Sequence, residues 1–270
     1  MSGDTSTLTE PRGPETEPAE PERTRRGRRA DIPIAVLVVQ PLAVLVAVVA
    51  IVIYVGTADL SPTESVQLNF GNLWSLTVAH IKLVIVTGVI VIAVAVSLGI
   101  LVTRPRARAA RPVVVAVANL GQAAPAVGLL VLATTLLGIG FQTAVIALAL
   151  YGALPTLLNT MTGLEQVDRN LVEAGRGMGM SARKTLMRVE LPLAVPVILT
   201  GIRLSLVLIV GTAALASFIG APSLGQLIIT GVNLQLNNVL VVGAILIAAL
   251  ALLVDWLGRV FELVARPRGL

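Results

Sequence analysis

The chain has 270 residues, of which 56% are hydrophobic and 13% charged, with a formal net charge of +5. A soluble domain carries about 25% charged residues. This composition leaves too little polar surface for a water-soluble body, and it excludes a soluble enzyme, a nucleic-acid-binding domain and a secreted domain. Cysteine is absent, which excludes a disulfide framework, and the single histidine, His80, excludes a multi-histidine metal centre.

In chain order, residues 1–31 form a separate block. Only Met1, Leu8, Ala19 and Ala30 are apolar, four prolines interrupt it, and it ends in the cluster Arg23, Arg25, Arg26, Arg28 and Arg29. Such a segment buries too little surface to offset its ordering entropy, so a disordered cytoplasmic tail is expected. The apolar run behind it is too long for a signal-peptide core, and the tail is expected to stay attached.

Charge-free runs cover 32–58, 83–103, 112–164 and 204–254. A helix crossing the hydrocarbon needs about 20 residues, so the first two runs hold one span each. The last two are each divided, at Gly138-Ile139-Gly140 and over the polar stretch from Gly220 to Asn238, and hold two spans each. The reading is an all-α polytopic membrane protein with six transmembrane helices, near 33–55, 78–103, 112–137, 141–161, 197–219 and 239–258. Residues 32–270 form its transmembrane domain.

Eighteen of the 20 lysines and arginines fall on one side of this arrangement. Cations favour cytoplasmic loops, so both termini are expected in the cytoplasm of a cell whose inner membrane holds the chain. The other two, Lys82 and Arg203, lie within the first two turns of their expected spans. That position suggests snorkelling to an interface, although a charge at membrane depth is also a functional candidate.

The longest hydrophilic stretch outside the tail is 163–192, expected as two short cytoplasmic helices. Asp168 and Ser181 are suited to be their N-caps, and Pro192 is expected to end the second. Between them stands Gly175-Arg176-Gly177-Met178-Gly179. Three glycines in five residues suggest a sharp bend at a close backbone approach, on a loop shaped for docking.

These residues resemble a known family. Glu173-Ala174-Gly175, three residues, Gly179, nine residues, Val189, one residue and Leu191-Pro192 match the spacing of the EAA loop of ABC-importer permeases. Gly175 stands where that pattern has alanine, and Val189 where it has isoleucine. Leu150-Tyr151-Gly152-Ala153-Leu154-Pro155, Asn159-Thr160-Met161-Thr162-Gly163-Leu164, Gly177-Met178-Gly179-Met180, Gly201-Ile202-Arg203 and Phe218-Ile219-Gly220-Ala221 narrow the resemblance to osmoprotectant permeases. The solutes of that group include glycine betaine, choline and carnitine. The resemblance implies a partner ATPase whose cleft receives the EAA helix. Glu173, Ala174, Gly175 and Gly179 would then form the docking knob, with Leu191 and Pro192 ending the element. It also implies an extracytoplasmic solute-binding protein and a second permease, either another copy or a sister chain.

The residues agree with a divided machine. A P-loop needs Gly-Lys-Ser/Thr, but the two lysines, Lys82 and Lys184, follow Ile81 and Arg183. ATP hydrolysis is therefore expected on another subunit, and no catalytic residue, cofactor or metal is expected here. Quaternary ammonium recognition uses aromatic cages. The eight aromatics lie mostly near span ends, so selectivity is expected on the binding protein. Asn119 and Gln122, three apart on one helical face, and Asn159 are candidates for the translocation path, with interhelical bonding as their other reading. A permease for another solute and a secondary transporter are the alternatives, the latter opposed by the lack of acids deep in the spans.

Overall fold

The structure is a computed structural model that describes residues 34–265, so the expected tail, residues 1–31, lies outside the described residues. Within them are the helices α1 (Ile34–Thr57), α2 (Pro62–Gln67), α3 (Phe70–Val102), α4 (Arg111–Ala123), α5 (Ala126–Leu137) and α6 (Phe141–Glu165). They are followed by α7 (Arg169–Gly177), α8 (Ala182–Thr185), α9 (Leu191–Ala213), α10 (Gly225–Asn233) and α11 (Asn237–Ala265). Helices α1, α3, α6 and α11, and the continuous helical run Ala182–Ile219 that contains α9, are each long and apolar enough to cross a membrane.

The expected span over 112–137 is not one straight helix. Its two halves, α4 and α5, meet at a bend of 108°. Pro125 disfavours helical geometry in the residue before it, and Ala124 is extended (ψ 142°). The count is therefore five spanning helices, or six if the bent pair is one span. Two boundaries also shift. The second span begins at Phe70 rather than 78, because the Asn69 side chain caps it by accepting from the Asn72 N–H at 2.9 Å. The polar stretch after Ile219 contains a helix of its own, α10, where only a break between spans is expected.

The core is the three-helix contact of α3, α6 and α9, filled by Leu83, Val91, Leu148, Leu157, Met161 and Ile209. Helices α6 and α9 meet where side chains are missing. A Cβ on Gly201 would lie 2.5 Å from Asn159 Cβ and 2.8 Å from the Pro155 carbonyl oxygen, and one on Gly152 would lie 2.7 Å from Ile209. Small residues let membrane helices approach in this way, because lipid removes the hydrophobic drive for packing. Pro155 lies inside α6, and the residue after it is bonded across to α9. The Ser205 hydroxyl accepts from the Thr156 N–H at 3.1 Å and from the Thr156 hydroxyl at 2.8 Å.

At the edge of the bundle a neighbouring helix completes the bonding that a proline interrupts. Pro41 lies inside α1 and cannot donate to the Leu37 carbonyl one turn earlier. The Trp256 indole N–H of α11 donates to that carbonyl instead, at 2.9 Å. Gln40 adds bonds to the Leu252 carbonyl and to Asp255, both at 2.9 Å. On the opposite end of α11, the Glu64 carboxylate accepts from the Ser61 N–H (2.9 Å) and hydroxyl (2.8 Å) and from the Asn238 amide (2.8 Å). These bonds hold its pKa below the usual carboxylate range, the Ser61 backbone N–H contributing most.

The glycine contact sets a contrast between two positions of α9. Gly201→Ala places a methyl group against backbone and is expected to destabilise by about 1–3 kcal/mol. Gly211, with nothing within 4 Å of its Cβ position, is expected to gain up to about 1 kcal/mol from the same change. Thermal unfolding in one detergent checks both. Equal melting of the two variants would contradict the close α6–α9 approach.

Candidate functional site: the loop between α6 and α9

The loop begins where α6 ends at Glu165. Asp168 caps α7, its carboxylate accepting from the Asn170 N–H at 2.9 Å. Ser181 caps α8, accepting from the Lys184 N–H at 3.4 Å. Both expected caps are therefore observed. Helix α7 closes through two bonds, Gly179 N–H to the Arg176 carbonyl (2.9 Å) and Met180 N–H to the Gly175 carbonyl (3.1 Å). This pair defines a Schellman motif, which needs a left-handed residue after the helix end. Gly179 supplies it with φ +82°. The glycine-rich stretch is accordingly two helical glycines followed by one obligatory turn glycine. Within the chain, neither Gly177 nor Gly179 has an atom within 4 Å of its Cβ position, so both leave room for a neighbouring surface.

The expected end of the second helix at Pro192 is also corrected. Helix α8 runs through a π-turn over Leu186–Glu190 directly into α9, and the Leu191 N–H reaches back to the Leu186 carbonyl. The wider π ring relieves the crowding that the Pro192 ring would cause in regular helix. Leu191 and Pro192 therefore start α9.

The loop sorts its residues into two faces. Glu173, Ala174, Met178 and Gly179 are exposed, while Gly175 is buried. A Cβ on Gly175 would make ordinary contacts of 3.6–3.7 Å with Met180, Thr185 and Val189. Alanine would fit there, so the glycine at this motif position costs the packing little. Of the expected knob residues, Glu173, Ala174 and Gly179 face outward, and Gly175 joins α7 to the π-turn.

Both ends of the loop carry ion pairs to the connection between α3 and α4. Arg111 pairs with Glu165, and Arg104 pairs with Glu190 at 2.7 Å. Neither acid stood out in the sequence, because each lies in a stretch read only for helix ends.

The expected path residues are not brought together. Asn119 is exposed and Gln122 half-buried on α4. That helix meets α6 at Leu150, against which a Cβ on Gly121 would lie 2.6 Å away. Asn159 lies nine residues further along α6, which is the opposite helical face. Its amide donates to the Pro155 carbonyl at 2.8 Å, and its Cβ lies against Gly201.

Two further polar centres lie within the bundle, and their partners could not be read from the sequence. His80 is fully buried. Its Nε2 bonds the Val210 carbonyl at 3.1 Å, and its Nδ1 accepts from the Leu224 N–H at 3.3 Å. That pairing requires a neutral ring with its proton on Nε2. His80 thus ties α3 to α9 and to the start of α10. Arg203 lies twelve residues into α9, and snorkelling does not describe it. Its guanidinium pairs with Asp255 at 2.7 Å and with Glu262 at 2.8 Å, while Arg259 pairs with Asp255 at 2.9 Å. Lys82, likewise twelve residues into α3, is exposed, with its ammonium 5.5 Å from the centre of the Phe141 ring.

Long apolar helices, a broken α4–α5 pair and a capped loop projecting from the two core helices define a polytopic component of a membrane transport system. The chain belongs to the family of binding-protein-dependent transport system inner membrane components, whose model matches residues 95–265. It is 39% identical over 204 residues to a glycine betaine/carnitine/choline transport system permease protein of Bacillus subtilis, covering 76% of this chain and 93% of that one. It is 41% identical over 190 residues to a carnitine transport permease protein of Listeria monocytogenes, covering 70% and 86%. An osmoprotectant import permease protein of Salmonella typhimurium is 38% identical over 200 residues, covering 73% and 85%. Among solved structures, an inward-facing form of the MetNI methionine ABC transporter superposes with a TM-score of 0.63 at 25% identity, covering 72% of this chain and 95% of that one. An amino acid ABC transporter crystallised with histidines gives 0.62 at 20% identity, covering 76% and 99%.

The Schellman geometry makes a prediction that bulk alone does not. A left-handed conformation costs an ordinary side chain about 1–2 kcal/mol, whereas asparagine tolerates it. Gly179→Val is expected to loosen the loop and speed tryptic cleavage at Arg176 or Arg183 about tenfold. Gly179→Asn should cleave at nearly the original rate. Equal cleavage of the two variants would contradict the turn assignment.

Proposed function

We propose that this chain is the membrane-spanning permease subunit of an ABC importer that moves an osmoprotectant such as glycine betaine, choline or carnitine. The observation that carries this reading is the alignment, at 38–41% identity over 70–76% of this chain, with three permeases named for those solutes or for osmoprotectants. The likeness to methionine and amino acid transporters is at 20–25% identity, which supports the fold and leaves the solute to the closer relatives.

In this reading a separate subunit hydrolyses ATP, and the loop between α6 and α9 enters its cleft. Glu173, Ala174 and Met178 make the contact, Gly179 sets the turn that presents them, and Gly175 links α7 to α9. Both termini lie in the cytoplasm of a cell with this chain in its inner membrane, as the cation distribution suggests. A binding protein outside the membrane selects the solute, and a second permease subunit completes the path. Asn119 and Gln122 remain candidates to line it, because amides that are not fully buried need a polar neighbour within the membrane. Asn159, bonded on the other face of α6, holds that helix against α9.

Reconstitution tests the proposal. The permease is placed in liposomes with its ATPase and its binding protein. Labelled glycine betaine, choline or carnitine should accumulate only when ATP and the binding protein are both present. Accumulation that persists without ATP, or uptake of methionine or histidine in place of these solutes, would overturn the reading.

A further inference from the structure

We propose that Arg104 and Glu190 form the joint through which movement of the α6–α9 loop reaches α3. The proposal rests on the coupling role given to that loop above. The loop is bounded by two acids, Glu165 before it and Glu190 after it, and both pair with arginines of the single connection between α3 and α4. The two pairs differ in burial. The Arg111 and Glu165 side chains are 34% and 44% exposed, the setting in which an ion pair contributes little. The Glu190 side chain is only 9% exposed. Arg104 is 29% exposed, but removing it leaves the shielded Glu190 carboxylate unpaired, which costs more than losing an exposed pair.

The two residues occupy mechanical positions. Glu190 is the last residue of the π-turn, immediately before α9 begins. Its π geometry interrupts regular helix at the one place where the loop joins α9. Arg104 follows the end of α3 and is anchored to it, its Nε donating to the Ile100 carbonyl (3.4 Å) and the Thr103 hydroxyl (3.3 Å). Helix α7 packs against α8 and the π-turn, with Gly175 on its buried face, so a push on α7 passes into the π-turn. From there α9 carries it along the bundle, and the Arg104–Glu190 bond carries it sideways to α3. Two core helices then move as one body. Arg104 is therefore a positioning residue that acts through Glu190 and touches neither solute nor nucleotide.

The test uses the assembled importer in liposomes and measures solute moved per ATP hydrolysed. Arg104→Gln and Glu190→Gln should keep the ATPase bound and the solute affinity of the binding protein unchanged. The ratio should fall about tenfold, within the usual range of coupling between sites. The exchanged pair, Arg104→Glu with Glu190→Arg, should restore most of it. The neutral pair, Arg104→Gln with Glu190→Gln, should recover thermal stability by removing the stranded charge while the ratio stays low. Arg111→Gln should leave the ratio as it was.

An unchanged ratio in the single variants, failure of the exchanged pair to restore it, or a neutral pair with a normal ratio would overturn the joint. Loss of the ATPase from the single variants would also overturn it, since the pair would then serve docking. Ala174→Trp on the exposed face of α7 tests the underlying reading separately. If that variant keeps both its ATPase and full uptake, the coupling role itself fails, whatever the Arg104 variants do.

Discussion

The close approach of α6 to α9 is the contact on which the rest depends. It exists because Gly201 presents bare backbone to Pro155 and Asn159, and because Ser205 accepts two hydrogen bonds from Thr156 across the contact. Those two helices are also the two stems of the projecting loop. Helix α6 ends at Glu165, just before the α7 cap, and α9 is continuous through the π-turn with α8. The loop is therefore carried by the two helices in most extensive contact. A displacement at its tip has a short path into the membrane, through backbone rather than through mobile side chains.

Charge placement within the bundle follows one economy. Arg203, Arg259, Asp255 and Glu262 form a cluster with no formal net charge, joined by Gln40. A lone charge at membrane depth is costly, and such residues pair with one another where they occur. Pairing removes most of that cost and fixes α1, α9 and α11 in one register, since each helix contributes to the cluster. His80 does the same without charge. Its neutral ring accepts one backbone N–H and donates to one carbonyl, and so holds α3, α9 and the start of α10. Partners from other helices thus meet Pro41, His80 and the charges of this cluster.

Much of this was legible from particular residues. Charge-free runs located the apolar helices, because hydrocarbon tolerates few charges and demands a minimum length. Asp168 and Ser181 announced both loop helices, because capping is a local effect of two or three residues. The motif spacing pointed to the family. What escaped the sequence was non-local. The Pro125 bend was hidden because hydropathy is blind to direction, and 112–137 reads as one apolar run. Pro192 was expected to stop a helix, yet a π-turn one residue earlier absorbed it. Arg203 looked like a residue near a span end, and only the fold brings Asp255 and Glu262 to it from 52 and 59 positions away. Asn119 and Asn159 lie on different faces for a related reason: polarity along the chain says nothing about which face of α6 meets α9.

The chain lacks cysteine, which allows the central claim, that the α6–α9 loop enters the ATPase, to be tested by a single-cysteine cross-link in the assembled importer. Cysteine at Ala174 or Met178, on the exposed face of α7 and its turn, should cross-link to the ATPase subunit and should do so differently with and without bound ATP. Cysteine at Ile139, in the loop between α5 and α6, should give no such product. Cross-linking from Ile139, or none from either loop position in an importer that transports, would contradict the account.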